Sequence, residues 1–389
     1  MRVLHVTPYF APAFRYGGPP RSILGLCRAL GNAGVDVEVF TTTANGTEPL
    51  PAAPGGTAYD GVSVRYFPLA WPKRYWRGAG LRPALMQSVA QADLVHVHGV
   101  WNITGWSGVS CARAAGVPYV ISPRGMLQPA AMQRHRAMKS LAYWSIERTN
   151  LRSATFLHAT STLEAGALAA YGPPVATIAN GVAPAKVSVA AVQNLRERAR
   201  LRPDDAVVTF LGRLHPIKRL DLLADAFAIV RRAHPNARLV IAGPDEGSYR
   251  AQIEALFAPV AADTRWLGAV DPETAWALLN SSRVLVQCSD SESFGMSVAE
   301  ALTSAVPVVV TKRSGWTDVE NTGCGFSVMQ EPVAIADGLL RILDHPAQAA
   351  AMGARGQAWA HRMFAWDAIG HAMRDAYQAA LARSPRQVA

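Results

Sequence analysis

The chain has few cysteines and no long apolar run. Its 389 residues include four cysteines, and no two of them have the Cys-x-x-Cys spacing of zinc and redox motifs. The cysteines therefore fit a reducing compartment and give no indication of a disulfide framework. No stretch approaches the roughly 18 uncharged apolar residues that a membrane-spanning helix needs. The apolar run at the amino terminus is too short for a secretory signal, so we expect a cytoplasmic protein.

Charged residues make up only 17% of the chain, whereas 50% of the residues are hydrophobic. Together with modest numbers of glycine and proline, this composition excludes a disordered or collagen-like chain. It is typical of a globular protein. The length exceeds what one ordinary hydrophobic core supports, so we expect two domains.

Acidic residues are scarce in the first half of the chain. Residues 1–185 contain 16 Lys and Arg against 7 Asp and Glu, whereas the remaining residues contain 22 against 21. Basic and aromatic residues are interleaved at positions 71–77 and 134–144, which suits an anionic partner. A membrane surface, a lipid diphosphate and a nucleic acid all fit, and a solvated basic face without a partner fits equally well. Nucleic acid is least favoured because no recognition motif accompanies the charge.

Short apolar runs alternate with helical patterns in the first half of the chain. We predict strands at residues 3–6, 35–42, 93–97, 117–121, 155–159 and 175–178, and helices at residues 20–33 and 106–115. Apolar strands separated by helices are typical of a parallel sheet that is covered on both faces.

The same alternation begins again after a turn at residues 179–182 and a polar stretch at 186–205. We place the boundary at residue 186, which gives domains of residues 1–185 and 186–365. A last helix, within residues 366–389, is expected to pack back on the first domain. The pattern therefore predicts two successive doubly wound α/β domains, in which ligands bind at the carboxyl ends of the strands. In the second domain we predict a helix at 220–233 and strands at 206–211, 238–242, 264–267, 284–287 and 306–310.

Two acidic residues lie where a predicted strand gives way to a helix. Glu292 and Glu300 are eight residues apart, with Gly295 between them. If most of this span is helical, it rises about 12 Å, close to the reach from a sugar across a diphosphate to a ribose. Each carboxylate could accept hydrogen bonds from hydroxyl groups at one end of a nucleotide sugar. The alternative is a pair of ordinary surface glutamates.

Two basic residues lie in another strand-to-helix loop. Arg213 and Lys218 follow the strand at 206–211 and precede the helix that starts at residue 220. A helix amino terminus already favours anions, and fixed cations stabilise a departing diphosphate more than its bound ground state. Solvated side chains at a helix start are the alternative.

Two histidines, His96 and His98, end a predicted strand in the first domain, and alternation places them on the same face. His98 is the candidate acceptor contact or proton acceptor, and a buried structural histidine is an equally good interpretation. A metal site is least favoured, because no third ligand is evident in the sequence.

Together these motifs resemble the retaining nucleotide-sugar glycosyltransferases of glycosyltransferase family 4, which have the GT-B fold. The resemblance covers nearly the whole chain, and its specificity comes from the order and spacing of the motifs. The matching segments are Gly17-Gly18-Pro19, Asn180-Gly181-Val182, Gly212-Arg213 with Lys218, Ala242-Gly243-Pro244-Asp245, Glu292 with Phe294-Gly295-Met296 and Glu300, and Val306-Pro307-Val308-Val309.

The resemblance implies two Rossmann-like domains that face each other across a cleft. It implies that Arg213 and Lys218 clamp the donor diphosphate, that Glu292 orients the donor sugar, and that Glu300 binds the ribose. The backbone of Phe294, Gly295 and Met296 would meet the sugar and phosphates, and Gly17 and Gly18 would line the opposite wall. Such enzymes need no divalent metal or other cofactor, which agrees with the absence of any Asp-x-Asp triplet.

One departure from the family concerns the first domain. A histidine often follows a strand there and approaches the donor sugar, whereas this chain has Arg124 within residues 121–126. Either Arg124 takes over that role, or the role belongs to another residue. We count Arg124, with His98, among the candidate acceptor-binding residues.

The resemblance implies transfer of a hexosyl unit from a UDP- or GDP-linked sugar to an acceptor hydroxyl with retention of configuration. No carboxylate is an obvious nucleophile, so we favour front-face substitution. The basic first half favours an anionic acceptor, either a lipid-linked saccharide of cell-surface polysaccharide synthesis or another anion. It also favours peripheral association with the inner face of the cell membrane. The alternatives are a nucleotide-sugar 2-epimerase and a non-catalytic protein that binds membrane or nucleic acid.

Overall fold

The computed structural model describes residues 1–51, 56–133, 136–245 and 247–383. The chain forms two compact units. The first contains Met1–Gly181 together with the carboxyl-terminal segment from Trp366, and the second contains Val182–Ala365. Arg134 and His135, which belong to the second basic stretch, lie outside the described residues.

Eight strands form the sheet of the first unit, and neighbouring strands are parallel except for the pair at one edge. The six strands predicted for this half of the chain are confirmed. Two further strands, Thr57–Tyr59 and Val62–Phe67, extend the sheet, and the apolar pattern does not predict them. The spatial order is Val175–Thr177, Phe156–Ala159, Tyr119–Ser122, Leu94–His98, Arg2–Val6, Asp36–Thr42, Val62–Phe67 and Thr57–Tyr59.

The central strands of this sheet are buried on both faces. Val3, Leu4 and Val6 of the first strand are completely buried, and every residue of Leu94–His98 is buried as well. Helices on both sides exclude water from such strands, which is why their residues do not alternate between buried and exposed positions.

Helices and one π-helix connect the strands of the first unit. The helix predicted at 20–33 is Gly18–Asn32, and the helix predicted at 106–115 begins earlier, at Ile103, because the side chain of Asn102 accepts a hydrogen bond from the Gly105 N–H (2.6 Å). The helices are Gly18–Asn32, Leu81–Val89, Ile103–Ala114, Pro129–Gln133, Arg136–Ala142, Arg148–Arg152, Thr162–Leu168 and Trp366–Arg383, and the π-helix is Tyr143–Glu147.

The last helix, Trp366–Arg383, packs on the first unit. Its residues Ile369, Met373 and Tyr377 are buried in one cluster with Val3 and other residues of the sheet and first helix. The indole of Trp366 packs directly on two glycines, since a Cβ atom on Gly25 or Gly181 would lie within 2.3 Å of it.

Six parallel strands form the sheet of the second unit. The five predicted strands are confirmed, and Gly325–Val328 is an additional strand at one edge. The polar stretch at 186–205 is not an extended linker, because Val189–Arg198 is a helix whose Leu195 is buried against the sheet cluster. The spatial order is Thr264–Gly268, Ala237–Ala242, Ala206–Leu211, Val284–Gln287, Val308–Thr311 and Gly325–Val328.

The helices of the second unit cover its sheet and include the predicted helix at 220–233. Each unit therefore has the predicted doubly wound α/β architecture. Within the described part of the chain, no helix combines the length and the apolar character needed to cross a membrane. The helices are Val189–Arg198, Leu220–Ala233, Tyr249–Ile253, Pro272–Asn280, Met296–Thr303, Asp318–Asn321, Pro332–Leu343 and Pro346–Met363.

Candidate functional site

The strand order of the second sheet reverses between Ala206–Leu211 and Val284–Gln287. The strands that follow the first of these along the chain lie on one side of the pair, and the strands that follow the second lie on the other side. The two strands are paired in parallel, so their carboxyl ends lie side by side. Such a switch point leaves room above the sheet, because the loops on either side of it turn away from each other. The loop with the predicted cations and the loop with Glu292 both leave the sheet here.

An ion pair joins these two loops. The ammonium group of Lys218 donates a hydrogen bond to Oε1 of Glu292, and the two side chains are only 13% and 11% exposed. Oε1 also accepts hydrogen bonds from the amide of Gln287 and from the hydroxyl of Ser289 (2.6 Å). A carboxylate oxygen that accepts hydrogen bonds from three donors is held in one position.

Backbone and side-chain contacts between the loops reinforce this ion pair. The Asp290 N–H donates to the carbonyl oxygen of Ile217 at 2.8 Å. The guanidinium of Arg219 pairs with Asp221 (2.8 Å) and Asp290 (3.4 Å), and hydrogen bonding to the Asp221 carboxylate raises the pKa of Arg219. Arg219 is therefore paired with acids of its own surroundings, just as Lys218 is paired with Glu292.

Gly295 starts the helix Met296–Thr303 in a conformation that other residues avoid. Its φ of +84° lies in the left-handed region, and a Cβ atom there would be 2.7 Å from Nε1 of Trp316. The same Nε1 donates a hydrogen bond to the carbonyl oxygen of Phe294, whose side chain is buried. Trp316 thus fixes the entry to the helix, and the amino-terminal N–H groups of the helix are placed at the switch point, where they favour an anion.

The structure corrects the expectation about the span between Glu292 and Glu300. Only its second half is helical, because the helix begins at Met296. Glu300 lies on this helix and is partly buried, as is Met296. The estimate of about 12 Å for a mostly helical span therefore does not apply.

Arg213 lies in the loop after Ala206–Leu211 and is partly buried. The neighbouring loop supports this part of the backbone, because Leu214 N–H donates to Pro244 O (2.8 Å) and Gly212 N–H to Ala242 O (2.9 Å). Gly243 is required at this crossing, since a Cβ atom on it would lie 1.9 Å from the Gly212 carbonyl oxygen.

Sequence reasoning missed Gln287 and Ser289, although both carry a signal. Gln287 is a polar residue at the end of the apolar strand Val284–Gln287, and Ser289 follows two residues later; both are buried. Buried polar groups at the carboxyl end of a parallel strand need partners, and here the partner is Glu292.

The first sheet has its own switch point, between Arg2–Val6 and Leu94–His98. Gly17 and Gly18 follow the first of these strands. Gly17 has φ +81° and ψ −133°, a conformation open only to glycine, and it immediately precedes the helix that begins at Gly18. These two glycines therefore place another helix amino terminus at the carboxyl end of a sheet.

The predicted acceptor residues His98 and Arg124 lie together in the first unit. Nη2 of Arg124 is 3.3 Å from Nδ1 of His98, and Nη1 donates to Oδ1 of Asn180 at 2.7 Å. His98 is only 1% exposed, and burial lowers its pKa well below the usual range. This burial favours the structural role of His98 over direct contact with an acceptor.

A third histidine, which was not evident from the sequence, lies beside His96 and His98. His5 lies on the adjacent strand, in register with His96, and ring nitrogens of all three lie within 4.8 Å of one another. Nδ1 of His5 is 2.9 Å from Nε2 of His98. Sequence reasoning missed His5 because it is remote in the chain, and only the pairing of the two strands brings it close.

The geometry of these three histidines is that of a neutral hydrogen-bonded network. Both ring nitrogens of His96 are engaged, with Tyr377 Oη and Ser122 Oγ, each at 2.6 Å. Burial, together with the charge of the nearby Arg124 guanidinium, lowers the pKa of His5 to about 3. A guanidinium beside His98 opposes a second cation, so the residues present do not favour a metal ion.

His158 belongs to the same network. Its Nδ1 is 2.6 Å from Ser122 Oγ, and its Nε2 donates to the carbonyl oxygen of Ile178 at 2.8 Å. These contacts give His158 a structural role.

Two family descriptions match the chain, one in each half. Glycosyl transferase 4-like domain matches residues 17–181, and Glycosyl transferases group 1 matches residues 192–359. The D-inositol 3-phosphate glycosyltransferase of Streptomyces scabiei is 31% identical over 98% of this chain and 91% of its own length. D-inositol 3-phosphate glycosyltransferase 2 of Catenulispora acidiphila is 28% identical over 96% of this chain and 93% of its own length.

Solved structures show the same fold. Sucrose-phosphate synthase from Thermosynechococcus elongatus superimposes with a TM-score of 0.75 at 20% identity, covering 98% of this chain and 100% of that one. Anabaena Alr3699/HepE in complex with UDP-glucose has a TM-score of 0.75 at 19% identity, covering 97% of this chain and 100% of that one. The predicted GT-B fold is confirmed.

Proposed function

Because the chain belongs to the group 1 glycosyl transferases, with a 4-like domain in its first half, we propose that it is a retaining hexosyltransferase. Family membership establishes a glycosyltransferase that uses a nucleotide sugar. The proposal adds retention of configuration, a hexosyl donor linked to UDP or GDP, and independence of divalent metal.

The ion pair between Lys218 and Glu292 carries this proposal. It places an acid and a base at the switch point of the second sheet, beside the helix amino terminus at Gly295. In this role Lys218 and Arg213 hold the donor diphosphate, and Glu292 accepts hydrogen bonds from hydroxyl groups of the sugar. Glu300, four residues into the helix, binds the ribose, and the backbone at 294–296 faces the phosphates.

The proposed reaction is a front-face substitution. The bond from the anomeric carbon to the leaving phosphate oxygen breaks, and a bond to the acceptor oxygen forms on the same face. The departing phosphate oxygen takes the acceptor proton. Arg213 and Lys218 stabilise the negative charge that develops on the diphosphate, an interaction that is stronger in the transition state than in the ground state.

The surroundings of Glu292 support front-face substitution over a covalent intermediate. Oε1 already accepts three hydrogen bonds, from Lys218, Gln287 and Ser289. Such a carboxylate is a weak nucleophile but a rigid acceptor for sugar hydroxyl groups. We therefore assign Glu292 to orienting the donor sugar.

An anionic acceptor is the second part of the proposal. The relatives in Streptomyces and Catenulispora are named for D-inositol 3-phosphate, and the excess of basic residues lies in residues 1–185. Both observations favour an acceptor with a phosphate or similar anion, whether inositol phosphate or a lipid-linked saccharide of cell-surface polysaccharide synthesis. UDP-glucose is the first donor to test, since it is bound in the structure of Anabaena HepE.

The test combines a donor panel with two acceptors. The full chain is incubated with UDP- and GDP-hexoses, alone and with inositol phosphate or a lipid-diphosphate saccharide, and the released nucleotide and anomeric product are measured. We expect acceptor-dependent release with retained configuration. Conversion of the donor without an acceptor would instead indicate a 2-epimerase, and no donor turnover or binding would indicate a non-catalytic protein.

A further inference from the structure

A row of large apolar side chains lies on the outside of the helical segment Arg136–Arg152 in the first unit. Met138, Leu141 and Trp144 follow one another at three-residue steps, which keeps them on one side of the helix. Leu141 is 73% exposed and Trp144 is 66% exposed. We call Met138, Leu141 and Trp144 the outer stripe.

The opposite side of this helical segment is anchored in the unit. Leu151 is completely buried in the main core cluster. The carboxylate of Glu147 accepts hydrogen bonds from the Trp101 N–H (2.6 Å) and from the Trp106 indole (2.7 Å). The segment is therefore fixed in orientation, and its outer stripe is held toward solvent.

A basic and aromatic loop, residues 71–77, joins this stripe. The hydroxyl of Tyr75 contacts the Met138 sulfur at 3.4 Å, and the Arg74 guanidinium stacks on the Tyr75 ring. Trp71 is 82% exposed, and its carbonyl oxygen accepts a hydrogen bond from Arg77 at 2.8 Å. Two stretches far apart in the sequence thus form one surface, which we call the basic–aromatic face.

Cations surround the apolar side chains of this face, and acids are rare in the same part of the chain. Lys73, Arg74 and Arg77 are exposed, and the Arg148 guanidinium lies 5.0 Å from the centre of the Trp144 ring. Between residues 61 and 146 the sequence contains ten Lys and Arg but one acid, Asp93. Asp93 accepts a hydrogen bond from the backbone N–H of Arg2 (2.7 Å), at the start of the central strand.

We propose that the basic–aromatic face docks the protein on an anionic lipid bilayer. The outer stripe and Trp71 insert at the level of the headgroups, and Lys73, Arg74 and Arg77 pair with lipid phosphates. Tryptophan is favoured in this interfacial layer. Stable peripheral binding usually needs two contributions, shallow insertion of apolar side chains and attraction of cations to anionic lipids. Exposed apolar side chains that lie together, as these do, are removed from water only when a partner covers them.

A bilayer fits this face better than a nucleic acid does. Protein surfaces that bind single-stranded nucleic acid combine cations with aromatic rings on which the bases stack. Leu141 and Met138 have no flat face, and they gain only from an apolar medium. The anionic bilayer is therefore the partner that satisfies both the charges and the aliphatic side chains.

The experiment measures binding of the full chain to vesicles, which does not depend on sugar transfer, so its failure is distinguishable from failure of the proposed function. Vesicles of phosphatidylcholine are compared with vesicles containing one-third phosphatidylglycerol by co-sedimentation. We expect binding only to the anionic vesicles, and weaker binding as the salt approaches about 1 M, where the screening length is about 3 Å.

Two variants separate the charges from the apolar stripe. Lys73→Ala with Arg74→Ala should weaken binding by about fivefold for each cation removed. Leu141→Ser with Trp144→Ser should weaken it by at least about tenfold while leaving the charge unchanged. The matched control, Arg232→Ala with Arg362→Ala, removes two exposed cations from the second unit and should bind like the parent.

Circular dichroism and thermal melting confirm that each variant is folded before binding is compared. Equal binding to both kinds of vesicle, or binding that the face variants do not weaken, would overturn the proposal. So would tight, salt-sensitive binding of a single-stranded oligonucleotide without vesicle binding, because it would assign this face to nucleic acid.

Discussion

The hydroxyl of Tyr377 lies 2.6 Å from Nδ1 of His96, although the two residues are 281 positions apart. This contact joins the last helix, Trp366–Arg383, to a central strand of the first sheet. Both groups are completely buried. The helix at the end of the chain thus completes the hydrogen bonding of a polar cluster inside the first unit.

Removing this hydroxyl should destabilise the protein. Tyr377→Phe leaves a buried ring nitrogen of His96 without its partner, at an expected cost of about 1–3 kcal/mol. Urea unfolding of the full chain measures the change. Gln378→Ala, on the exposed side of the same helix, is the matched control and should unfold like the parent. Equal stability of the Tyr377 variant would show that the contact contributes nothing.

Stability should fall on acidification because of the buried histidines. Burial lowers the pKa of His5 and His158 from 6.5 to about 3. Between these values the unfolded chain binds protons that the folded chain does not, so the free energy of unfolding increases with pH. The contribution of the two histidines to the free energy of unfolding is fully present above about pH 6.5. Below that pH, each histidine lowers the free energy of unfolding by up to about 1.4 kcal/mol per pH unit.

Urea unfolding at a series of pH values between 7 and 4 checks the histidine prediction. His158→Gln, which cannot be protonated, should reduce the slope. A slope that is the same in the parent and the variant would contradict the assignment of His158 to this effect.

Loss of either member of the ion pair at the switch point should reduce turnover. Lys218→Ala removes a cation from the diphosphate and should lower kcat by about 10²–10³, the usual range for one transition-state contact. Glu292→Gln should have a comparable effect, because it weakens the contacts to the sugar hydroxyl groups. Lys186→Ala and Glu197→Gln are exposed controls in the same unit. Near-normal turnover in either variant of the ion pair would contradict the proposed function.

Gln287 and Ser289 act through Glu292. Substituting either residue should therefore reduce turnover less than substituting Glu292 does, and should affect kcat and KM differently. We expect Ser289→Ala to lower kcat by about tenfold while the KM for the donor changes little, because one of three donors to Oε1 is lost. Ser289→Thr retains a hydroxyl and should recover part of the activity. A large rise in KM without a change in kcat would indicate direct donor binding instead.

Gly295 should not tolerate a side chain. Gly295→Ala forces a left-handed conformation on alanine and a clash with Trp316, at an expected cost of about 1–3 kcal/mol. Thermal-shift measurements should also show loss of stabilisation by UDP or GDP. The control is Gly166→Ala, because that glycine is helical and a Cβ atom on it meets nothing within 4 Å. Unchanged nucleotide binding by the Gly295 variant would show that this helix start does not face the phosphates.

Turnover should not depend on a divalent metal. Arg213 and Lys218 supply the positive charge that a metal would otherwise bring to the diphosphate. Dialysis against a chelator should therefore leave kcat within about twofold, as measured by nucleotide release. A loss of activity that added Mg²⁺ or Mn²⁺ restores would overturn this part of the proposal.

The periodicity of the sequence determined the repeated α/β pattern of the two units, because a strand buried on both faces has to be a short apolar run. It also determined that Arg213, Lys218 and Glu292 follow strands, since each lies directly beyond such a run. The glycine needed at position 295 could be inferred as well, from its place at a helix start.

Tertiary structure alone decided which of these loops meet. Lys218 reaches Glu292 because Ala206–Leu211 and Val284–Gln287 are neighbours in the sheet. The local periodicity of the sequence does not determine the order of the strands. For the same reason His5 joins His96, and Tyr75 meets Met138. Contacts between distant residues depend on how whole elements pack, so the sequence determined the elements and their chemistry, whereas the packing of the fold determined their partners.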